Sequence, residues 1–131
     1  SEMCIRDRCM IEIPVPFADL LDRITILEIK KRFLNGPGLA NVTRELDLLD
    51  NRLRCSGLDV SPALRDCLAA INAQLWAVEN QLRLLEQHQR FDAQFISLAR
   101  SVYQLNDRRA AIKREINLSS GSPLIEEKSY G

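Results

Sequence analysis

A guanidinium in an apolar seam is the first place where this chain could do chemistry. Phe95, Leu98, Val102, Leu105, Arg109, Ile112 and Ile116 follow one another at steps of three and four. That spacing sets them on one helix face, and Arg109 stands where packing alone would select Leu or Ile. Asn106 and Lys113 fall within or beside the same arc, and Tyr103 borders it. On an earlier helical stretch, Glu28 and Lys31 lie inside the apolar arc of Ile24 and Leu27. Charges in such places are costly unless they are paired. Two chemistries fit. In one, Glu28 pairs with Arg109 or Lys113 and fixes the register between helices, as a buried polar residue does in coiled coils. In the other, Lys31, Arg109 and Lys113, with Tyr103 and Asn106 as neutral donors and Glu28 at the margin, form a pocket for a small anion.

Bond-making machinery is not visible beside them. No nucleophile stands next to a base, and no glycine-rich phosphate loop occurs. Cys4, Cys9, Cys55 and Cys67 show no CxxC spacing, and His88 is the only histidine. No metal, cofactor or disulfide framework is expected from that pattern. Proximity and charge stabilisation alone can still catalyse a rearrangement, so enzymatic activity stays open while a non-catalytic role is the preferred reading.

The elements that must position these residues read as helices. Phe17 to Leu34 forms the first, with Pro16 near its first turn and Asp19 where a carboxylate meets unpaired amides. Asn35, Gly36, Pro37 and Gly38 are expected to end it. A second helix is expected from about Val42 to Arg54 with Asn41 as N-cap, placing Val42, Leu46, Leu49 and Leu53 on one face. The third starts at Ser61 and Pro62 and runs to about Gln87, with Leu64, Leu68, Ile71, Leu75, Val78, Leu82 and Leu85 as its seam. The fourth opens at Asp92 and runs to about Asn117. Only a few residues around Gln89 and Arg90 separate the last two, which makes them a long antiparallel hairpin. Before them, Ile11, Ile13 and Val15 alternate with Glu12, Pro14 and Pro16, which reads as a short extended arm confined to an edge. The fold class is therefore an all-α antiparallel bundle of about four helices, with short extended arms at both ends.

The first helix carries two apolar faces. Phe17, Leu20, Leu21, Ile24, Leu27 and Leu34 form one, and Ile26, Ile29 and Phe33 lie opposite. A helix apolar on both sides sits centrally, within a bundle or between subunits. The third helix adds Trp76 off its leucine seam, beside Ala69 and Ala73. One chain of this length has few elements left to cover such surplus, so a homodimer is expected.

Composition sets the remaining bounds. The 131 residues fit one domain, taken as 9–131. Eighteen basic and eighteen acidic residues leave no net field toward nucleic acid or an anionic membrane. Arg100, Arg108, Arg109, Lys113 and Arg114 are interleaved with Asp92, Asp107 and Glu115, so a nucleic-acid partner is not expected. No apolar run has the length of a membrane span or of a signal peptide, and a cytoplasmic protein is expected. Ser1 to Arg8, SEMCIRDR, contains the peptide MCIRDR that one frame of a sequencing-library transposon adapter encodes, and is read as a non-native head.

Three blocks carry a family resemblance: ITILEIK at Ile24–Lys30, LARSVYQLNDRRAAIKREIN at Leu98–Asn117, and EEKSY at Glu126–Tyr130. They resemble an uncharacterised family of small bacterial proteins known only as a domain of unknown function, over the chain from Ile11 onward. The resemblance implies no activity and transfers no functional residue. The particular character of EEKSY suggests that Leu124 to Lys128 pairs as a short strand with Ile11 to Val15. Two functions thus stand at this point. One is a non-catalytic interaction or assembly module with an unidentified protein partner; the other is a binder of, or enzyme on, a small anion.

Overall fold

The computed structural model describes residues 10–122, and the proposed pairing of Leu124–Lys128 lies outside them. Four helices follow residues 10–16, which are assigned to no helix or strand: α1 (Phe17–Phe33), α2 (Gly36–Ser56), α3 (Pro62–Gln87) and α4 (Ala93–Ser120). The all-helical class, the number of helices and the α3–α4 hairpin are as the periodicity predicts.

One boundary differs. The Asn35–Gly38 stretch is expected as a loop, yet α2 begins at Gly36 rather than Val42. Gly36 adopts φ 57°, a left-handed conformation that turns the chain sharply at the end of α1. Pro37 then lies in the first turn of α2, where its missing N–H is no loss. The punctuation residues therefore start a helix immediately instead of spacing two apart. Ser61 stands at the N-cap of α3 but its side chain caps no amide there, whereas the signals bounding α4 act as expected. Asp92 accepts from the Phe95 amide at 3.3 Å, and Gly121 at φ 74° closes α4.

The two apolar faces of α1 explain the architecture, because α1 is the central helix. Ile24 and Leu27, with Leu20, pack against Val42, Leu46 and Leu49 of α2. Phe17, Ala18 and Leu21 pack against Leu68 of α3 and Ile116 of α4. The face expected to be single is thus divided between two neighbours. Of the opposite face, Ile29 is buried, while Phe33 stacks on Trp76 of α3 at 5.6 Å between centroids. Leu21, Ile24 and Leu27 are essentially inaccessible to solvent. Each contributes about 1.5–3 kcal/mol of burial.

The backbone of α2 approaches only that of α1 among the described helices. The α3–α4 hairpin has its own seam, built on Ile71, Leu75 and Leu105 with Val78, Val102 and Ile112. α1 runs antiparallel to α4, since Ala18 meets Asn117 and Asp22 meets Arg109. It follows α3, since Asp22 meets Asn72 while Phe33 meets Trp76.

The helix lengths are unequal, at 17 residues for α1 against 26 and 28 for α3 and α4. At 1.5 Å per residue the hairpin is about 40 Å long and α1 about 25 Å. The hairpin therefore projects beyond α1, leaving Leu84, Phe91, Ile96 and Tyr103 exposed near its free end.

Candidate functional site: a buried charge cluster between α1, α3 and α4

The strip of α1 that faces the hairpin is Ala18, Asp22, Thr25 and Ile29, spaced by four, three and four, and all four are buried. Asp22 places a carboxylate there. Arg109 Nε donates to Asp22 Oδ1 at 2.9 Å, and Arg109 Nη2 donates to Asp22 Oδ2. This is the two-pronged arrangement that a guanidinium's fixed fork makes with a carboxylate. Asn72 Nδ2, from α3, donates to Asp22 Oδ1 and to Thr25 Oγ1, both at 2.9 Å. Thr25 Oγ1 in turn donates to the Asp22 carbonyl at 2.8 Å.

Lys113 joins from the next turn of α4. Its Nζ lies 3.0 Å from Asp19 Oδ1 and 3.9 Å from Asp22 Oδ2. Burial pushes the Asp22 carboxyl up, but hydrogen bonds from Arg109 and Asn72 and the charges of Arg109 and Lys113 outweigh it. They hold the group below the ordinary carboxylate value. Asp22 is thus an anion at neutral pH, enclosed by donors from two other helices.

A second polar contact lies at the start of α1. Pro16 precedes the helix and offers no side-chain cap. The cap comes from α4 and the residues just after it: Asn117 Oδ1 accepts from the Ala18 amide at 2.8 Å, and Ser122 Oγ accepts from the Phe17 amide at 3.2 Å. Asn117 is 1% exposed. An amide that would be an orphan at a helix start is satisfied by a residue 99 positions away.

The six residues singled out from the sequence are separated by the fold. Arg109 and Asn106 come together, with Arg109 Nη1 3.4 Å from Asn106 Oδ1. Lys113 lies on the same strip, against Asp19 and Asp22. Glu28 instead meets Arg65 of α3, at 3.2 Å on the surface, so the pairing expected with Arg109 or Lys113 is replaced by an exposed one. The reason is geometric, since Glu28 lies off the buried strip of α1 and Asp22 lies on it. Lys31 is exposed in the last turn of α1. Tyr103 is 54% exposed on α4, beyond the cluster.

None of the six lines the principal clefts, which lie along α3–α4 at Gln74 and Gln104, beside the arm at Ile13 and Leu48, and near Ile96. Asp22, Asp19, Asn72, Thr25 and Asn117 are the residues that sequence reasoning missed. The signal for Asp22 was its place at the four-three spacing between Ala18 and Ile29. Among the described residues, no group of His, Cys, Asp and Glu could hold a metal ion. No described helix is long and apolar enough to cross a membrane.

The fold and this cluster define an all-helical protein whose central helix is locked to a long hairpin by an internal carboxylate node. The chain belongs to the family of unknown function DUF6165, whose model matches residues 11–131. No curated protein and no solved structure matches it.

Proposed function

We propose that the protein is a non-catalytic helical assembly module that self-associates as a homodimer. One observation carries the reading: the buried charges face one another, whereas large apolar side chains face outward. Asp22 engages Arg109, Asn72 and Lys113 from two helices, which is the organisation of a register device. Ile11, Ile13, Phe33, Phe91, Ile96 and Tyr103 meanwhile stand more than half exposed. Those of the arm and of the hairpin's free end support self-association as the surfaces left uncovered by the chain's own helices. A cytoplasmic setting in a bacterial cell belongs to the same reading, and the exposed thiols of Cys55 and Cys67 suit a reducing compartment.

The test is the mass of the chain in solution, by sedimentation equilibrium at micromolar concentration. Twice the chain mass of 14.9 kDa is expected. A monomer at every concentration across the micromolar range contradicts the reading.

The competing reading is a small anion bound by Glu28, Lys31, Tyr103, Asn106, Arg109 and Lys113. What favours it is the adjacency of Asn106 and Arg109 on one strip of α4 with Tyr103 one turn on. It requires ligand-dependent stabilisation that Arg109→Leu removes.

A further inference from the structure

Four observations point to the arm, rather than the charge cluster, as the contact behind such a dimer. Met10 to Val15 makes no backbone hydrogen bond with any described residue. Among the described residues, its side-chain tether is the exposed ion pair between Glu12 and Arg52 of α2. Ile11 is 88% exposed, Ile13 69% and Val15 44%. Beside the arm lies a cleft of about 460 Å³, closed below by Leu20 of α1 and by Leu48 and Leu49 of α2.

Prolines give this segment one usable edge. In an extended strand, alternate residues present their N–H and C=O to opposite edges. Glu12, Pro14 and Pro16 share one edge, and two of those three have no N–H. Ile11, Ile13 and Val15 share the other, where every donor and acceptor is intact.

We propose that the arm pairs through its Ile11–Ile13–Val15 edge with the same edge of a second copy, antiparallel about a two-fold axis at Ile13. This rests on the self-association reading above and names its interface. In that register Ile13 opposes Ile13, and Ile11 opposes Val15, so each edge satisfies the other along its whole length. Directly opposed residues project to one face of a two-stranded ribbon. The β-branched side chains of both copies then line one face, which the apolar floors of the two clefts cover. An isolated two-stranded ribbon is unstable in water, and packing against helices is what such a ribbon needs.

Self-pairing is favoured by charge as well as by shape. Each cleft carries Glu12 and Asp19 against Arg23 and Arg52, so its own charges balance. The whole chain has a formal net charge of zero. Two copies therefore approach without electrostatic repulsion.

A pair of substitutions in the arm of the full chain, read by sedimentation equilibrium with circular dichroism as a fold control, tests this. Ile13→Pro deletes a central donor on the pairing edge and should weaken the dimer at least tenfold, with helix content unchanged. Pro14→Ala restores a donor on the opposite edge, keeps the Glu12–Arg52 pair, and should leave the dimer intact. Three patterns overturn the proposal. If Ile13→Pro remains dimeric and Ile96→Asp, at the hairpin end, becomes monomeric, the arm edge is refuted while self-association stands. If Pro14→Ala dissociates the dimer as strongly as Ile13→Pro, the edge assignment is refuted. If the parent chain is a monomer, both this interface and the self-association reading fail.

Discussion

Arg109 and Asp22 are 87 positions apart and meet through two hydrogen bonds, one from Nε at 2.9 Å, with the carboxylate side chain 8% exposed and the guanidinium 28%. The pair joins the central helix to the last one at a fixed register. Such a pair is weak evidence of net stability, because removing two charges from water offsets most of their attraction. Breaking it from one side is another matter.

Asp22→Ala leaves Arg109 and Lys113 facing a partly buried space without their shared anion, and should destabilise the fold by about 3 kcal/mol. Replacing both partners, Asp22→Leu with Arg109→Leu, removes the charge and its counter-charge together. That double variant should lie within about 1 kcal/mol of the parent or above it. Urea unfolding of the parent, the two single variants and the double variant provides the comparison.

Acid should loosen the same node. The folded pKa of Asp22 lies below its ordinary value near 3.8, so its ionisation stabilises the native state. That contribution is complete above the unfolded pKa and drains away as pH falls through the lower folded value. The stability gap between the parent and Asp22→Asn should therefore be flat from about pH 5 to 7 and shrink below about pH 4. Denaturant midpoints across that range measure it, and a gap that widens in acid contradicts the assignment.

Asn117→Ala should cost about 1–2 kcal/mol, because the Ala18 amide loses its acceptor inside the protein. Ser122→Ala should cost less, since its bond to the Phe17 amide is longer and only part-buried. Amide exchange at Phe17 and Ala18 should accelerate in Asn117→Ala before exchange at Leu27 does. Equal acceleration throughout α1 would mean that the cap acts on global stability alone.

Glu28→Gln should change stability by less than about 0.5 kcal/mol, because the Arg65–Glu28 pair is exposed to solvent and screened. A loss comparable with that of Asp22→Ala, in the same urea unfolding series, would place Glu28 among the groups that hold the helices in register.

The helices were legible in the sequence because each carries its own pattern. Ser61 and Pro62 open α3, Asp92 opens α4, and apolar residues at steps of three and four run the length of both. The double apolar character of α1 pointed correctly to a central position. The start of α2 was not legible, because Asn35, Gly36, Pro37 and Gly38 are as well suited to a loop as to a tight turn into a helix.

The candidate site was half visible. Arg109 and Lys113 stood out because a charge interrupts an apolar seam. Asp22 did not, because it lies on the sparser apolar face of α1, four residues before Ile26 and seven before Ile29, where only three apolar residues define the arc and a charge does not stand out as an interruption. Which carboxylate receives Arg109 depends on the rotation of α1 against the hairpin, and that rotation is set by Phe17, Ala18, Leu21, Leu68 and Ile116 packing together. Periodicity along one helix carries no information about it. Asn117 was hidden for a similar reason, since its partner is a backbone amide that any residue but proline at position 18 would supply.

The most direct measurement is a thermal-shift screen of the parent chain and Arg109→Leu against phosphorylated sugars, nucleotides and dicarboxylates. A ligand at 100 times its dissociation constant stabilises a native state by about 2.7 kcal/mol, a readily detected shift. If the cluster is an internal register device, none of these anions shifts the parent differently from the variant. A shift in the parent that Arg109→Leu abolishes would contradict that account and make the cluster a binding site.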